Sequence, residues 1–155
     1  MTRVYVLDSS AIIAQIRHQP GYFRVHALLQ QAQALGCQIY MSEIDVGEVL
    51  YVIEREKGLA GVQNFISTLK EGPIQLVPAS FEQIQSVAHL KAHYPVSYAD
   101  AFAAVAAVES ALRVVAVDKP GYDKWAAEVG DEVLFDLFSW YFDSFQPGEA
   151  QPSQT

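Results

Sequence analysis

One cysteine, Cys37, is all the thiol chemistry the chain holds, so no internal disulfide is possible and a reducing, cytoplasmic setting is expected. Long apolar runs are missing as well. The longest uncharged apolar stretch, residues 101–108, is far below the roughly 20 residues that span a bilayer, so no membrane role is expected. Met1 leads almost at once into the strand-like Arg3-Val-Tyr-Val-Leu7, with none of the basic and apolar regions of a secretion signal. Nucleotide-binding G-x-x-x-x-G-K-[ST] and G-x-G-x-x-G patterns are absent, as is the G-x-S-x-G nucleophile elbow. Basic residues are few: 10 Lys and Arg against 18 Asp and Glu, a net charge of −8. That balance excludes binding nucleic acid by simple phosphate neutralisation, but not through bound metal ions, which reverse the local sign.

What is present is apolar and ordered. Of 155 residues, 51% are hydrophobic and 18% charged, which excludes disorder for the bulk of the chain and fits one domain. The acidity is uneven. Six acids and no Lys or Arg lie from Glu128 onward, leaving twelve acids against ten bases before it, a charge of −2. The surface that precedes the C-terminal segment is therefore nearly neutral.

Strand and helix patterns alternate. Strands are predicted at Arg3–Leu7, 38–41, Ile74–Val77 and 113–117. Helices are predicted at 11–18 after the cap cluster Asp8-Ser9-Ser10, and at 22–35 with Phe23, Ala27, Leu28, Ala34 and Leu35 as its apolar residues. Further helices follow at 43–57 with Ile44, Val49, Val52 and Ile53 apolar, at 59–71 beyond Gly58, at 80–93, and at 97–112. This order predicts an α/β fold: a sandwich of helices around a central, mainly parallel sheet of four or five strands. One domain is expected over residues 1–145, with 146–155 a flexible Pro/Gly/Gln-rich tail.

In such sheets ligands bind beyond the carboxyl ends of the strands. Asp8 closes the first strand and Asp118 the last clear one, while Glu48 and Asp100 lie near the starts of helices that rise from the same rim. Each has an ordinary reading: Asp8 as a helix cap, Asp100 as part of the S-x-x-D capping pattern from Ser97, Glu48 as a solvated helix residue, Asp118 as a turn residue before Pro120-Gly121. Together they make a cluster that repels itself by about 4 kcal/mol per pair at 4 Å and an effective dielectric of 20. A hard divalent cation with oxygen ligands, Mg²⁺ or Mn²⁺, removes that cost.

Four blocks then match a known pattern: V-Y-V-L-D-S-S-A at the start, M-S-E-I-D-V-G-E-V-L-Y (41–51), S-Y-A-D-A-F-A-A-V-A-A (97–107) and V-V-A-V-D-K-P-G-Y (114–122). In order and spacing they resemble the successive motifs of PIN-domain ribonucleases, above all the VapC-type toxins of toxin–antitoxin pairs, over residues 4–135. The resemblance implies that Asp8, Glu48, Asp100 and Asp118 are the metal-binding acids of an Mg²⁺- or Mn²⁺-dependent endoribonuclease. It also implies an RNA substrate, a protein antitoxin and a homodimer. Ser9 falls where the family carries Thr or Ser beside the first acid. Where the family often has Thr or Ser two residues before the last acid, this chain has Ala116, and residues 136–145 are longer and more aromatic than in many relatives.

Two other functions compete. A catalytically silent PIN-like module that binds RNA or protein is motivated by Ala116 and the acidic aromatic end. A receiver-type phosphoacceptor is disfavoured, because the early strand ends in Asp8 alone and Lys119 directly follows an acid. His89 and His93 have metal-ligand spacing, but Leu90 stands where a zincin needs Glu, so they read as ordinary histidines. Phe135, Phe138, Phe142 and Phe145 recur at three- and four-residue steps and read first as a core-covering helix, second as a patch for self-association or docking.

Overall fold

The computed structural model describes residues 3–19, 22–93, 97–110, 113–116 and 135–137. Within these, the order is β1 (Arg3–Leu7), α1 (Ser9–Arg17), α2 (Tyr22–Gln33), β2 (Cys37–Ser42), α3 (Glu43–Glu71), β3 (Ile74–Val77), α4 (Phe81–His93), α5 (Tyr98–Ser110), β4 (Arg113–Ala116) and β5 (Phe135–Leu137). The strands form one sheet in the order β3-β2-β1-β4-β5, every neighbouring pair parallel. The chain steps outward from β1 through β2 to β3, then crosses back to place β4 on the other side of β1. That reversal makes the carboxyl end of β1 the topological switch point, the place where ligands bind in sheets of this kind.

Strand alternation divides the interior into two cores. Tyr5 and Leu7 of β1, with Cys37, Ile39 and Met41 of β2, face one side and pack with α1, α2 and α3. Val6 and Tyr40 face the other and pack with α4 and α5. Helices thus cover both faces, as a buried parallel sheet requires. Alanine lets α5 sit close: residues 101–106 are all buried, with Phe102 the largest fully buried side chain among them. The helix packs on β1, β2 and β4 and also touches α3 and α4.

Cys37 is buried, its thiol 3.7 Å from the Leu28 carbonyl oxygen. Burial pushes that thiol's pKa up, away from reactivity. No helix among the described residues is long and apolar enough to cross a membrane.

Three expectations change. The aromatic segment does not begin as a helix, because Phe135–Leu137 is a strand that pairs with Val114–Ala116. Phe-Asp-Leu is too short for its period to separate helix from strand, and an edge of β4 open to pairing decides it. Phe138, Phe142, Phe145 and residues 146–155 lie outside the described residues. In α2 the buried face is Val25, Leu28 and Ala32, whereas Phe23 is 57% exposed and Leu35 is 88% exposed. In α3 Ile44 is exposed and Val46 takes its place beside Val49 and Ile53.

The expected break at Gly58 is present as a kink within α3, with φ 69° and ψ −175°. That backbone region is nearly closed to residues with a Cβ. A Cβ built at Gly58 meets nothing within 4 Å, so a substitution there is felt through the backbone alone. Gly58→Ala should therefore destabilise the fold by about 1–3 kcal/mol, read as a lowered urea midpoint with an unchanged slope.

Candidate active site

The register of the sheet sets the rim. Leu7 of β1 is level with Met41 of β2 and Val115 of β4, so the next residues, Asp8, Ser42 and Ala116, stand side by side at the carboxyl edge. Strand passes to helix without a loop at the first two. Asp8 has extended geometry (φ −93°, ψ 174°) and caps α1, its Oδ1 accepting from the Ala11 N–H at 3.2 Å and from the Ser10 hydroxyl. Ser42 caps α3 through the Ile44 N–H at 3.2 Å. On the other face Ser97 caps α5 by accepting the Asp100 N–H at 3.1 Å. The capping roles read from the sequence for Asp8 and Ser97 are thus real, and they coexist with burial: Asp8 is fully enclosed and Asp100 is 7% exposed.

One acid was not anticipated. Asp45, in the first turn of α3, is fully buried, and its Oδ1 accepts the Ser9 N–H at 3.1 Å across 36 residues of sequence. Its Oδ2 is buried without a hydrogen-bond partner among the described residues, as is the neighbouring Ser9 hydroxyl. The signal lay in the spacing: Asp45, Val49 and Ile53 recur every four residues, which puts Asp45 on the buried stripe.

Glu48 is half-buried one turn along the same helix. Asp8, Asp100 and Glu48 all act electrostatically on Asp45, which brings β1, α3 and α5 to one neighbourhood. Burial pushes the Asp45 carboxyl well above the ordinary carboxylate range. Asp8 pushes it further, the Ser9 N–H opposes, and Asp100 and Glu48 add to the rise. The positive ends of three helices lie at these acids: α1 at Asp8, α3 at Asp45 and α5 at Asp100. That placement favours negative charge and offsets part of the repulsion.

Asp118 lies outside the described residues, so three of the four acids expected from the sequence are located here. Among the described residues no three His, Cys, Asp or Glu side chains stand close enough to share one metal ion. The donor chemistry nonetheless fits a hard cation, since it is all oxygen and includes a buried carboxylate oxygen, Asp45 Oδ2, with no hydrogen-bond partner among the described residues. His89 and His93 sit exposed on α4 with their rings 4.5 Å apart, as the ordinary reading has them.

The PIN-domain family model matches residues 5–123, most of the chain and, but for Val4, all the blocks described above. The chain belongs to the PIN-domain family. Solved structures agree in fold. VapBC2 from Rickettsia felis, bound to a DNA fragment from their promoter, superposes with a TM-score of 0.63 at 14% identity, covering 88% of this chain and 99% of that one. A toxin–antitoxin complex from Klebsiella pneumoniae (0.60, 17%) and FitAcB from Neisseria gonorrhoeae (0.60, 20%) each cover 84% of this chain and 95% of theirs. No curated protein matches the chain. At such identities these neighbours show a shared PIN architecture.

The buried acid of this PIN domain gives a pH test with a definite sign. Asp45 has a folded-state pKa above its unfolded value, so the folded protein holds that proton more tightly. Its contribution to stability is full below the ordinary carboxylate range and is lost as pH rises through the raised value. Thermal unfolding of EDTA-treated protein across acid to neutral pH should show this loss, and Asp45→Asn should flatten it. An unchanged profile in the variant would refute the assignment.

Proposed function

We propose that the protein is a divalent-cation-dependent endoribonuclease, the toxin of a toxin–antitoxin pair, with Asp8, Glu48, Asp100 and Asp118 as its cation-holding acids. One observation carries the reading: Asp8, Asp100 and Glu48, from three separate elements, all act electrostatically on Asp45, which is itself fully buried in the first turn of α3. A structural role for so many acids in one place is costly, and a cation makes it tolerable.

Asp8 is the best-held member, oriented by the Ala11 N–H and the Ser10 hydroxyl. Asp100 is carried on α5, whose residues 101–106 are all buried, and Glu48 is half-buried in the second turn of α3. Bound Mg²⁺ or Mn²⁺ supplies Lewis acidity, lowering the pKa of water and offsetting charge on the phosphodiester. No side-chain nucleophile is required, in keeping with the inert Cys37. Family membership and the motif order support RNA as substrate. The similarity to complexes described as toxin with antitoxin supports a protein antitoxin as partner. A homodimer and a cytoplasmic site of action rest on the resemblance and on the single cysteine.

Incubating purified protein with structured RNAs, with and without Mg²⁺, tests the reading. Cleavage should need the cation and fall by about 100-fold or more in Asp8→Asn and in Asp100→Asn. RNA binding without any hydrolysis would instead favour a silent module, and cleavage that survives both substitutions would overturn the acid assignment.

A further inference from the structure

We infer that Asp45 is a positioning residue of the cation site and lends it a further carboxylate oxygen. The inference rests on the cation-dependent reading above and adds to it a residue outside the four acids of the motif pattern. Oδ1 holds the Ser9 N–H at 3.1 Å, which ties the first turn of α1, and with it Asp8, to the first turn of α3. That task needs one acceptor. An Asn or Ser could perform it without bringing a charge into the interior.

The second oxygen is what a structural cap leaves unexplained. Oδ2 is buried and has no partner among the described residues, and Asp45 is fully enclosed. Leaving such an atom unsatisfied is unfavourable in a finished structure. Its neighbours make the burden heavier rather than lighter: Glu48 is one turn away on the same helix, where like charges repel, and Asp8 and Asp100 lie within electrostatic reach. A divalent cation bound at the Asp45 Oδ2 would satisfy that oxygen and offset negative charge near it. Asp45 thereby couples the backbone that holds Asp8 to the ion that Asp8 would bind.

Mn²⁺ binding to the RNA-free protein, followed by calorimetry and by the electron paramagnetic resonance of free Mn²⁺, separates the possibilities. Asp45→Asn keeps an acceptor for Ser9 while removing the charge, and Asp45→Ser is a second replacement of smaller size. Both should weaken Mn²⁺ binding about tenfold or more while the EDTA-treated Asn variant melts no lower than the parent. Glu43→Gln, an exposed acid in the same helical turn, should bind Mn²⁺ like the parent. If Asp8→Asn loses Mn²⁺ but Asp45→Asn binds it unchanged, Asp45 is a cap only and the inference fails alone. An equal loss in Glu43→Gln would also overturn it, by exposing a general charge effect. If the parent protein binds no Mn²⁺, the cation-dependent reading fails first.

Discussion

The burial of carboxyl groups at one end of a parallel sheet is the constraint that organises this molecule. Asp8, Asp45 and Asp100 are all enclosed, and none of them would sit there unaided. Each occupies the N-terminal turn or cap of a helix, where the backbone dipole is positive and N–H groups lack partners. The direct strand-to-helix junctions after β1 and β2 follow from the same need. With no loop between Leu7 and α1, or between Met41 and α3, the acids are delivered to the rim by the sheet itself.

The two cores serve that arrangement. One stripe of β1 packs on α1, α2 and α3 and the other on α4 and α5, so the helices bearing Asp45 and Asp100 grip opposite faces of one sheet. α3 and α5 also touch one another. The small side chains along residues 101–106 allow that closeness, and Phe102 fills the space they leave.

Much of this was legible in the sequence, for identifiable reasons. β1 reads as a strand because Val4 to Leu7 form a short apolar run rich in β-branched and aromatic residues, and α3 breaks at Gly58 because only glycine takes that conformation easily. Asp8 and Asp100 were found by their places at element ends. Asp45 escapes notice because a polar residue on a buried stripe looks like an interruption of the pattern, although its four-residue step to Val49 and Ile53 continues that stripe. Phe23 in α2 and Leu35 beyond its end are apolar but exposed, and the Val25–Leu28–Ala32 line is the better guide to the buried face. The strand at Phe135–Leu137 was unreadable locally, since its identity comes from pairing with β4.

The long-range link between Ser9 and Asp45, and the still longer reach to Asp100, bear on how the protein is made. Pairing of β4 beside β1 joins residues more than a hundred positions apart, so the acid rim is assembled from pieces that leave the ribosome at different times. A nascent chain that has exposed β1 through β3 carries Asp8, Asp45 and Glu48 but not Asp100, so these acids come together only once α5 has emerged.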